Sequence, residues 1–91
     1  MIKKVLKMSA TWCGPCKVYH NTFENVSKIE KYKDIEFKEL DADENEDEFV
    51  KYNIRAVPTT ILLDENDKVV STVSGNLPQQ VLTNFIDSNN G

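Results

Sequence analysis

The chain contains two cysteines, and they stand two residues apart in the run Trp12-Cys13-Gly14-Pro15-Cys16. Two thiols at this spacing, at the start of a helix, can close into a disulfide and reopen. The run follows a short apolar segment and precedes a helical pattern, so Cys13 is predicted to lie at or just before the first helical turn. The residue types and their spacing therefore indicate thiol–disulfide chemistry.

The two thiols are predicted to play different parts. Backbone N–H groups at a helix start lack partners within the helix and carry partial positive charge, which stabilises a thiolate. We expect the pKa of Cys13 to lie below that of a free cysteine, whereas Cys16, further into the helix and less exposed, stays a thiol until it is needed. Cys13 would attack a substrate disulfide, and Cys16 would then attack Cys13 in the mixed disulfide and release the reduced substrate.

Other roles for the cysteines fit the pattern less well. A zinc site could use Cys13, Cys16 and His20, but structural zinc usually has four protein ligands and the chain offers only these three. A purely structural disulfide would close a very short loop and constrain the unfolded chain little. His20 is interpreted as a helix-surface or packing residue rather than a catalytic base. We expect neither a metal ion nor a bound cofactor.

The composition limits the classes of partner. The 91 residues, of which 40% are apolar and 29% charged, suffice for one domain, predicted to span residues 1–91. Eleven basic against fifteen acidic residues give a net charge of -4, which argues against nucleic acid as a partner. The acidic residues between 41 and 48 lack the glycine of a calcium-binding loop and are interpreted as a solvated loop and helix start.

The apolar segments are short. None approaches the ~18 residues of a membrane span, and the start of the chain leads into too few apolar residues for a secretory signal. If the chain is complete, we expect a cytoplasmic monomer with no membrane association. In that compartment a cysteine pair is more often catalytic or metal-binding than a structural crosslink.

The hydrophobic periodicity predicts an α/β domain with the order β-α-β-α-β-β-α. Strands separated by helices are expected to be parallel neighbours, and a hairpin is expected to add an antiparallel edge strand. The predicted strands cover residues 2–8, 35–41, 59–63 and 68–74, and the predicted helices cover residues 15–32, 45–52 and 77–88.

The sequence also predicts three details of these elements. Asn45 and Glu48 are predicted to form a capping box at the start of the second helix. The tail, residues 89–91, is predicted to fray. The last helix is predicted to face the core with Val81, Leu82, Phe85 and Ile86.

On these residues the chain resembles the thioredoxin family over nearly its whole length. The resemblance rests on Trp-Cys-Gly-Pro-Cys-Lys at residues 12–17, on residues 51–59 with their Val57-Pro58-Thr59, and on Gly75 after the last strand. It implies a thioredoxin fold with a four-stranded mixed sheet and three helices. The strand and helix that open a full-length thioredoxin are not present in this chain, which gives it a glutaredoxin-like size.

The resemblance also implies a docking surface beside the cysteines. Pro58 is expected to follow a cis peptide bond and to pack near the cysteines, with the backbone of Val57 exposed to an extended substrate segment. Gly75 would let a substrate backbone come close, and Trp12 would add apolar contact area. The predicted substrate-binding residues are Trp12, Gly14, Pro15, Val57, Pro58 and Gly75.

The chain departs from the family at charged positions. Thioredoxins carry a buried acid six residues before the first cysteine, thought to help move the proton of the second, and here that residue is Lys7. The family's partner lysine on the next strand falls at Glu39. Strand alternation allows the two side chains to meet, so one hypothesis assigns the proton transfer to Glu39 paired with Lys7. The alternative is that they merely satisfy each other or reach solvent.

Two uncharged family features are also replaced. Ser9 stands where an aromatic residue is usual, and His20 stands where a proline kinks the family's active-site helix. The second change predicts a straighter helix.

The predicted function is that of a thiol–disulfide oxidoreductase, a protein-disulfide reductase and dithiol electron carrier. Its expected partners are protein disulfide substrates and either a thioredoxin reductase-like protein or a small thiol that resets the pair. Two alternatives stay open: a glutaredoxin-like protein reset by glutathione, and a thioredoxin-fold binding subunit of a larger enzyme whose cysteines are incidental.

Overall fold

The computed structural model describes residues 1–90 and contains four strands and three α-helices in the predicted order. A short 3-10 turn, Glu30–Tyr32, follows the first helix. The strands are β1 (Ile2–Ser9), β2 (Glu36–Asp41), β3 (Thr59–Asp64) and β4 (Val69–Ser74), and the helices are α1 (Gly14–Ser27), α2 (Glu46–Lys51) and α3 (Gln79–Asn89). None of the helices within residues 1–90 has the length and apolar character needed to cross a membrane.

The strands form one mixed sheet in the order β2-β1-β3-β4, which confirms the predicted four-stranded mixed sheet. Strand β1 pairs in parallel with β2, but it pairs antiparallel with β3, and β3 pairs antiparallel with β4. The expectation that helix-separated strands are parallel is therefore confirmed for β1 and β2 and wrong for β1 and β3.

The direction of β3 positions the segment before it. Strand β3 runs antiparallel to β1, with Thr59 paired to Met8. It therefore begins at the edge of the sheet where β1 ends, and this brings the segment before β3 next to the cysteine turn.

The sheet is covered on both faces, as the nearly continuous apolar pattern of β1 predicts. One face packs against α1 and α3 through a cluster that includes Val5, Tyr19, Phe23, Leu82 and Ile86. The other face is built from Leu6, Met8, Leu40, Ile61 and Leu63, with Phe49, Tyr52 and Ile54 packed over them.

One polar contact lies inside this core. The Tyr19 hydroxyl is 2.6 Å from Oγ1 of Thr60, and both side chains are fully buried. Burial raises the pKa of Tyr19 to about 12, so its phenol stays protonated and can share a proton with Thr60. The contact ties α1 to β3 directly behind the cysteines.

Helix α1 ends earlier than predicted. The periodicity of residues 15–32 predicts one helix, but α1 stops at Ser27, where the N–H of Lys28 donates to the carbonyl oxygen of Asn25 and the N–H of Ile29 donates to that of Val26. Ile29 is extended, with φ -70° and ψ 130°, before the 3-10 turn begins. The apolar spacing continues through the break because Ile29 and Tyr32 still pack against the core.

Two other details differ from the sequence prediction. Asn45 is the N-cap residue of α2, but its side chain makes no capping hydrogen bond and Nδ2 donates instead to the carbonyl oxygen of Asp41 at 3.1 Å. In α3, Leu82 and Ile86 are buried and Phe85 is partly buried, whereas Val81 is 46% exposed. The predictions of a capping box and of a core-facing Val81 are wrong.

The end of the chain is held more firmly than predicted. Asn89 is the last residue of α3, and Oδ1 of Asn90 accepts a hydrogen bond from the backbone N–H of Ile2 at 2.8 Å. The predicted fraying is therefore wrong for these two residues. The last predicted residue of the tail, Gly91, lies outside the described residues.

Gly75 follows β4 with a φ of +112°, in the region that favours glycine. Its N–H donates to the carbonyl oxygen of Pro58 at 2.8 Å, so it joins the end of β4 to the start of β3. A Cβ added at Gly75 would meet no atom within 4 Å, and the same holds for Gly14 at the start of α1. The two glycines thus differ in backbone conformation and not in available space.

This difference predicts opposite effects of alanine at the two positions. Gly75→Ala is expected to lower the free energy of unfolding by at least about 1 kcal/mol, because alanine cannot adopt the native φ without strain. Gly14→Ala, the matched control, is expected to leave it unchanged or slightly higher. Urea unfolding of the two oxidised variants measures this, and equal stability of the two would contradict the backbone argument.

Candidate active site

The cysteine pair lies at the amino end of α1, directly after β1. Cys13 is the N-cap residue, with φ -91° and ψ 112°, and its backbone N–H donates to the carbonyl oxygen of Ala10 at 3.1 Å. Pro15 lies in the first helical turn, where a missing N–H removes no helical hydrogen bond. The predicted position of Cys13 is confirmed.

The sulfur of Cys13 acts as the helix cap. Sγ of Cys13 accepts a hydrogen bond from the backbone N–H of Cys16 at 3.1 Å. The N–H groups of a first helical turn have no partner inside the helix, so this sulfur occupies the position that a serine or aspartate oxygen usually takes. A thiolate formed here gains both the hydrogen bond and the field of the helix start.

Cys13 and Cys16 are joined in a disulfide, with their Cα atoms 5.3 Å apart. Their residues are 5% and 4% exposed, so they differ less in exposure than the sequence argument expects. Both pack in a small apolar cluster with Ala10, against which Ala42 and Val57 are placed.

The segment before β3 lies beside this disulfide. The peptide bond between Val57 and Pro58 is cis, as the family resemblance implies. The carbonyl oxygen of Val57 is 3.8 Å from Sγ of Cys13. The hydrogen bond from Gly75 to the carbonyl oxygen of Pro58 fixes the other side of this segment.

The structure therefore brings together most of the predicted substrate-binding residues. Val57, Pro58 and Gly75 are linked by the contacts just described. Trp12 is 70% exposed next to Cys13, and Gly14 and Pro15 are exposed at the start of α1.

A charged cluster lies on the sheet behind the cysteines. Lys7 is completely buried, and its Nζ is 3.0 Å from Oε2 of Glu39. The two residues are direct neighbours in the parallel pairing of β1 and β2, so the contact expected from strand alternation is present. The hydroxyl of Ser9 donates to the same carboxylate oxygen at 2.8 Å.

These contacts decide the charge of Glu39. Burial alone would raise the pKa of its carboxyl group, but the hydrogen bonds from Ser9 and Lys7 outweigh burial and hold the pKa below its usual value. Its side chain is 44% exposed. Glu39 is therefore a carboxylate at neutral pH and has an oxygen available to accept a proton.

A cleft of about 560 Å³ connects this cluster with the second cysteine. Its lining includes Cys16, Ser9, His20 and Glu39. Sequence reasoning assigned no part in the site to Ser9 or His20. The sequence did contain a signal for these two residues, because both stand where the family has a different residue. In addition, His20 follows Cys16 by four residues and so lies on the same helix face.

Metal binding finds no support in this geometry. Within residues 1–90, no three histidine, cysteine, aspartate or glutamate side chains are grouped so that they could hold a metal ion. His20 faces Lys7, with Nδ1 3.1 Å from Nζ, which is unsuited to a zinc ligand.

Comparison with known proteins identifies relatives over most of the chain. The thioredoxin family profile matches residues 2–88. A thioredoxin of Aspergillus fumigatus, Asp f 29, is 36% identical over 74 residues, which is 81% of this chain and 67% of that protein. A thioredoxin of Pseudomonas aeruginosa is 35% identical over 80 residues, 88% of this chain and 72% of that protein. Thioredoxin H5 of Oryza sativa is 40% identical over 72 residues, 79% of this chain and 52% of that protein.

Solved structures agree with the sequence relatives. A Fasciola hepatica thioredoxin has a TM-score of 0.84 and 30% identity, with 94% of this chain and 79% of that chain covered. A Malassezia sympodialis thioredoxin has a TM-score of 0.83 and 30% identity, with 94% and 74% covered. The chain thus spans about half to about four fifths of the length of these relatives. With a cysteine pair at the helix start, a cis-proline segment beside it and a family profile that covers residues 2–88, the chain belongs to the thioredoxin family.

Proposed function

We propose that this chain is a thiol–disulfide oxidoreductase that reduces protein disulfides through the reversible pair Cys13–Cys16. One observation carries the proposal: Sγ of Cys13 is the helix cap and accepts the N–H of Cys16 at 3.1 Å. This position favours the thiolate, which is the nucleophilic form of cysteine.

The first step is an exchange at Cys13. The thiolate of Cys13 attacks one sulfur of the substrate disulfide, that disulfide breaks, and its electron pair leaves on the second substrate sulfur, which takes a proton from solvent. The product is a mixed disulfide between Cys13 and the substrate.

The second step is resolution by Cys16. Its thiol loses a proton, and its sulfur attacks Sγ of Cys13. The bond between Cys13 and the substrate breaks, and the electron pair leaves on the substrate sulfur that Cys13 had attacked, so both substrate sulfurs are now reduced. The Cα separation of 5.3 Å in the oxidised protein lies in the normal range for a disulfide, so the product of this step fits the backbone at the start of α1. Two electrons have passed to the substrate, and a reductant must return two to the chain.

The residues around Cys13 support substrate docking by strand addition. An extended segment that pairs with the backbone of Val57 would hold its own disulfide against Cys13, because the Val57 carbonyl oxygen is 3.8 Å from that sulfur. The exposed ring of Trp12, which directly precedes Cys13, offers apolar contact area. Gly14, Pro15, Pro58 and Gly75 complete the proposed surface.

Glu39 is the proposed acceptor of the Cys16 proton. It lines the same cleft as Cys16, and it is kept ionised by Lys7 and Ser9. Lys7 is a positioning residue in this account, because its buried ammonium group holds the carboxylate in place and donates to Oε2. The charges of the family's acid and lysine are exchanged between strands, but an ionised carboxylate remains.

The partners follow from the proposed chemistry. A thioredoxin reductase-like protein is the proposed source of electrons, since the relatives are thioredoxins. A reversible dithiol pair suits a reducing compartment, so we place the chain in the cytoplasm and propose that it acts as a monomer. Glutathione as the reductant is the competing case, and the experiment below separates the two.

Single-cysteine variants are expected to separate the two steps. Cys16→Ser should still attack a protein disulfide but accumulate as the mixed disulfide, whereas Cys13→Ser should form none, because the serine hydroxyl can still cap the helix but the nucleophilic sulfur is lost. Mass spectrometry of the trapped species and turnover with thioredoxin reductase or with glutathione measure this. A chain in which both variants retain full activity would be a binding module and not a reductase.

Replacement of Glu39 tests the proposed proton acceptor. Glu39→Gln is expected to slow resolution by about 10- to 100-fold near neutral pH, because a general base is removed. The deficit should shrink as the pH rises, since hydroxide then removes the Cys16 proton. It should also shrink in acid, where the wild-type carboxylate itself becomes protonated, at a pH below the ordinary glutamate range.

The matched control is Glu36→Gln, an exposed glutamate on the same strand. Because Glu39→Gln leaves Lys7 buried without a charged partner, the double variant Lys7→Met, Glu39→Gln keeps the test valid if the single variant unfolds. A wild-type rate of resolution in Glu39→Gln and in the double variant would remove Glu39 from the mechanism.

A further inference from the structure

We propose that His20 is the final acceptor of the Cys16 proton, which reaches it through Glu39. The inference rests on the proposed function, since it concerns the same resolving step. It adds a proton-transfer residue at a position where the family's helix proline is replaced.

The contacts of His20 define its state. Its Nδ1 is 3.1 Å from Nζ of Lys7 and 3.7 Å from Oε1 of Glu39. An ammonium group only donates, so Nδ1 is the acceptor in this pair and the neutral ring carries its proton on Nε2. The lone pair of Nδ1 is held by Lys7 in the oxidised protein, and it can take a proton from Oε1 of Glu39 once that hydrogen bond is released.

The weak proton affinity of Glu39 leaves a role for a second base. Hydrogen bonds from Ser9 and Lys7 hold the Glu39 pKa below its usual value, so this carboxylate binds a proton only weakly. Histidine is the residue type that exchanges protons around neutral pH, which is the range where a base is most efficient. Moving the proton on to His20 makes removal of the Cys16 proton less unfavourable.

The step balances within the cluster. The Cys16 thiol gives its proton to Oε1 of Glu39, the hydrogen bond from Lys7 to Nδ1 of His20 is released, and Oε1 passes the proton to Nδ1. The Cys16 sulfur bonds to Cys13 as the bond between Cys13 and the substrate sulfur breaks, and the substrate leaves as a thiolate. The carboxylate then has one cation on each oxygen, Lys7 at Oε2 and His20 at Oε1. The imidazolium is half exposed, so its proton can pass to water or to the departing substrate thiolate.

Other charged groups face the same space and must be tested as alternatives. Besides Lys7 on β1 and Glu39 on β2, the cleft around His20 is lined by Asp41 at the end of β2, Lys17 on α1 and Glu44 before α2. Asp41 and Glu44 are the other carboxylates of this cleft. A variant that neutralises both, Asp41→Asn with Glu44→Gln, is therefore the control for any effect of pH.

The experiment reacts the reduced protein with dithionitrobenzoate in a stopped-flow spectrometer. The first release of thionitrobenzoate reports attack by Cys13, and the second reports resolution by Cys16. His20→Asn retains a side-chain oxygen that can accept the hydrogen bond from Lys7, but it cannot exchange a proton. We expect an unchanged first phase and a second phase about tenfold slower at neutral pH.

The pH profile and chemical rescue distinguish proton transfer from structural support. The wild-type second phase should slow as the pH falls, because a His20 ring that already carries both protons cannot accept another. His20→Asn should depend less on pH than the wild type, and the Asp41→Asn, Glu44→Gln control should keep the wild-type dependence. Added imidazole should accelerate the second phase of His20→Ala, because the cleft of about 560 Å³ admits it.

A second phase in His20→Asn with wild-type rate and pH dependence would overturn the inference, as would a His20 ring found by ¹⁵N NMR to carry its proton on Nδ1. Both results leave the proposed reductase intact. Failure of the proposed function has a different signature, since the wild-type protein would then show no second phase to compare.

Discussion

The hydrogen bond from the N–H of Cys16 to the sulfur of Cys13 is the interaction on which the site depends. It forms because a turn connects β1 directly to α1, and Cys13 is the last residue of that turn before the helix. The sheet then positions the other residues of the site. Strand β3 runs antiparallel to β1 and starts at the same edge, and this places Val57 and its carbonyl oxygen against the same sulfur.

The second constraint is the burial of Lys7. A completely buried ammonium group is tolerated only with partners, and here they are Glu39, His20 and the ring of Phe23, whose centroid is 5.4 Å from Nζ. The burial of Lys7 also affects the ionisation of Glu39. The same hydrogen bonds that satisfy Lys7 keep Glu39 ionised in the cleft that Cys16 lines. A requirement of stability thus leaves an ionised carboxylate in the cleft that Cys16 lines, and the proposed mechanism uses it as the base.

The sequence predicts the parts of this structure that are set locally. Hydrophobic spacing gave every helix and strand, and the Cys-Gly-Pro-Cys spacing after a strand predicted the helix cap. The direction of β3 was not predictable from periodicity, because alternation is the same for parallel and antiparallel strands. The partners of Asn45 and His20 were missed for a related reason, since each is decided by a residue that is distant in sequence or by the geometry of a turn.

The most direct test of the account is the pH dependence of alkylation of Cys13 in the reduced Cys16→Ser variant, in which no other thiol reacts. The helix cap predicts that the iodoacetamide rate reaches half its maximum at a pH below that of the same protein unfolded in urea. Equal midpoints in the folded and unfolded protein, or a higher one in the folded protein, would show that the helix start does not stabilise the thiolate, and the proposed mechanism would then be wrong.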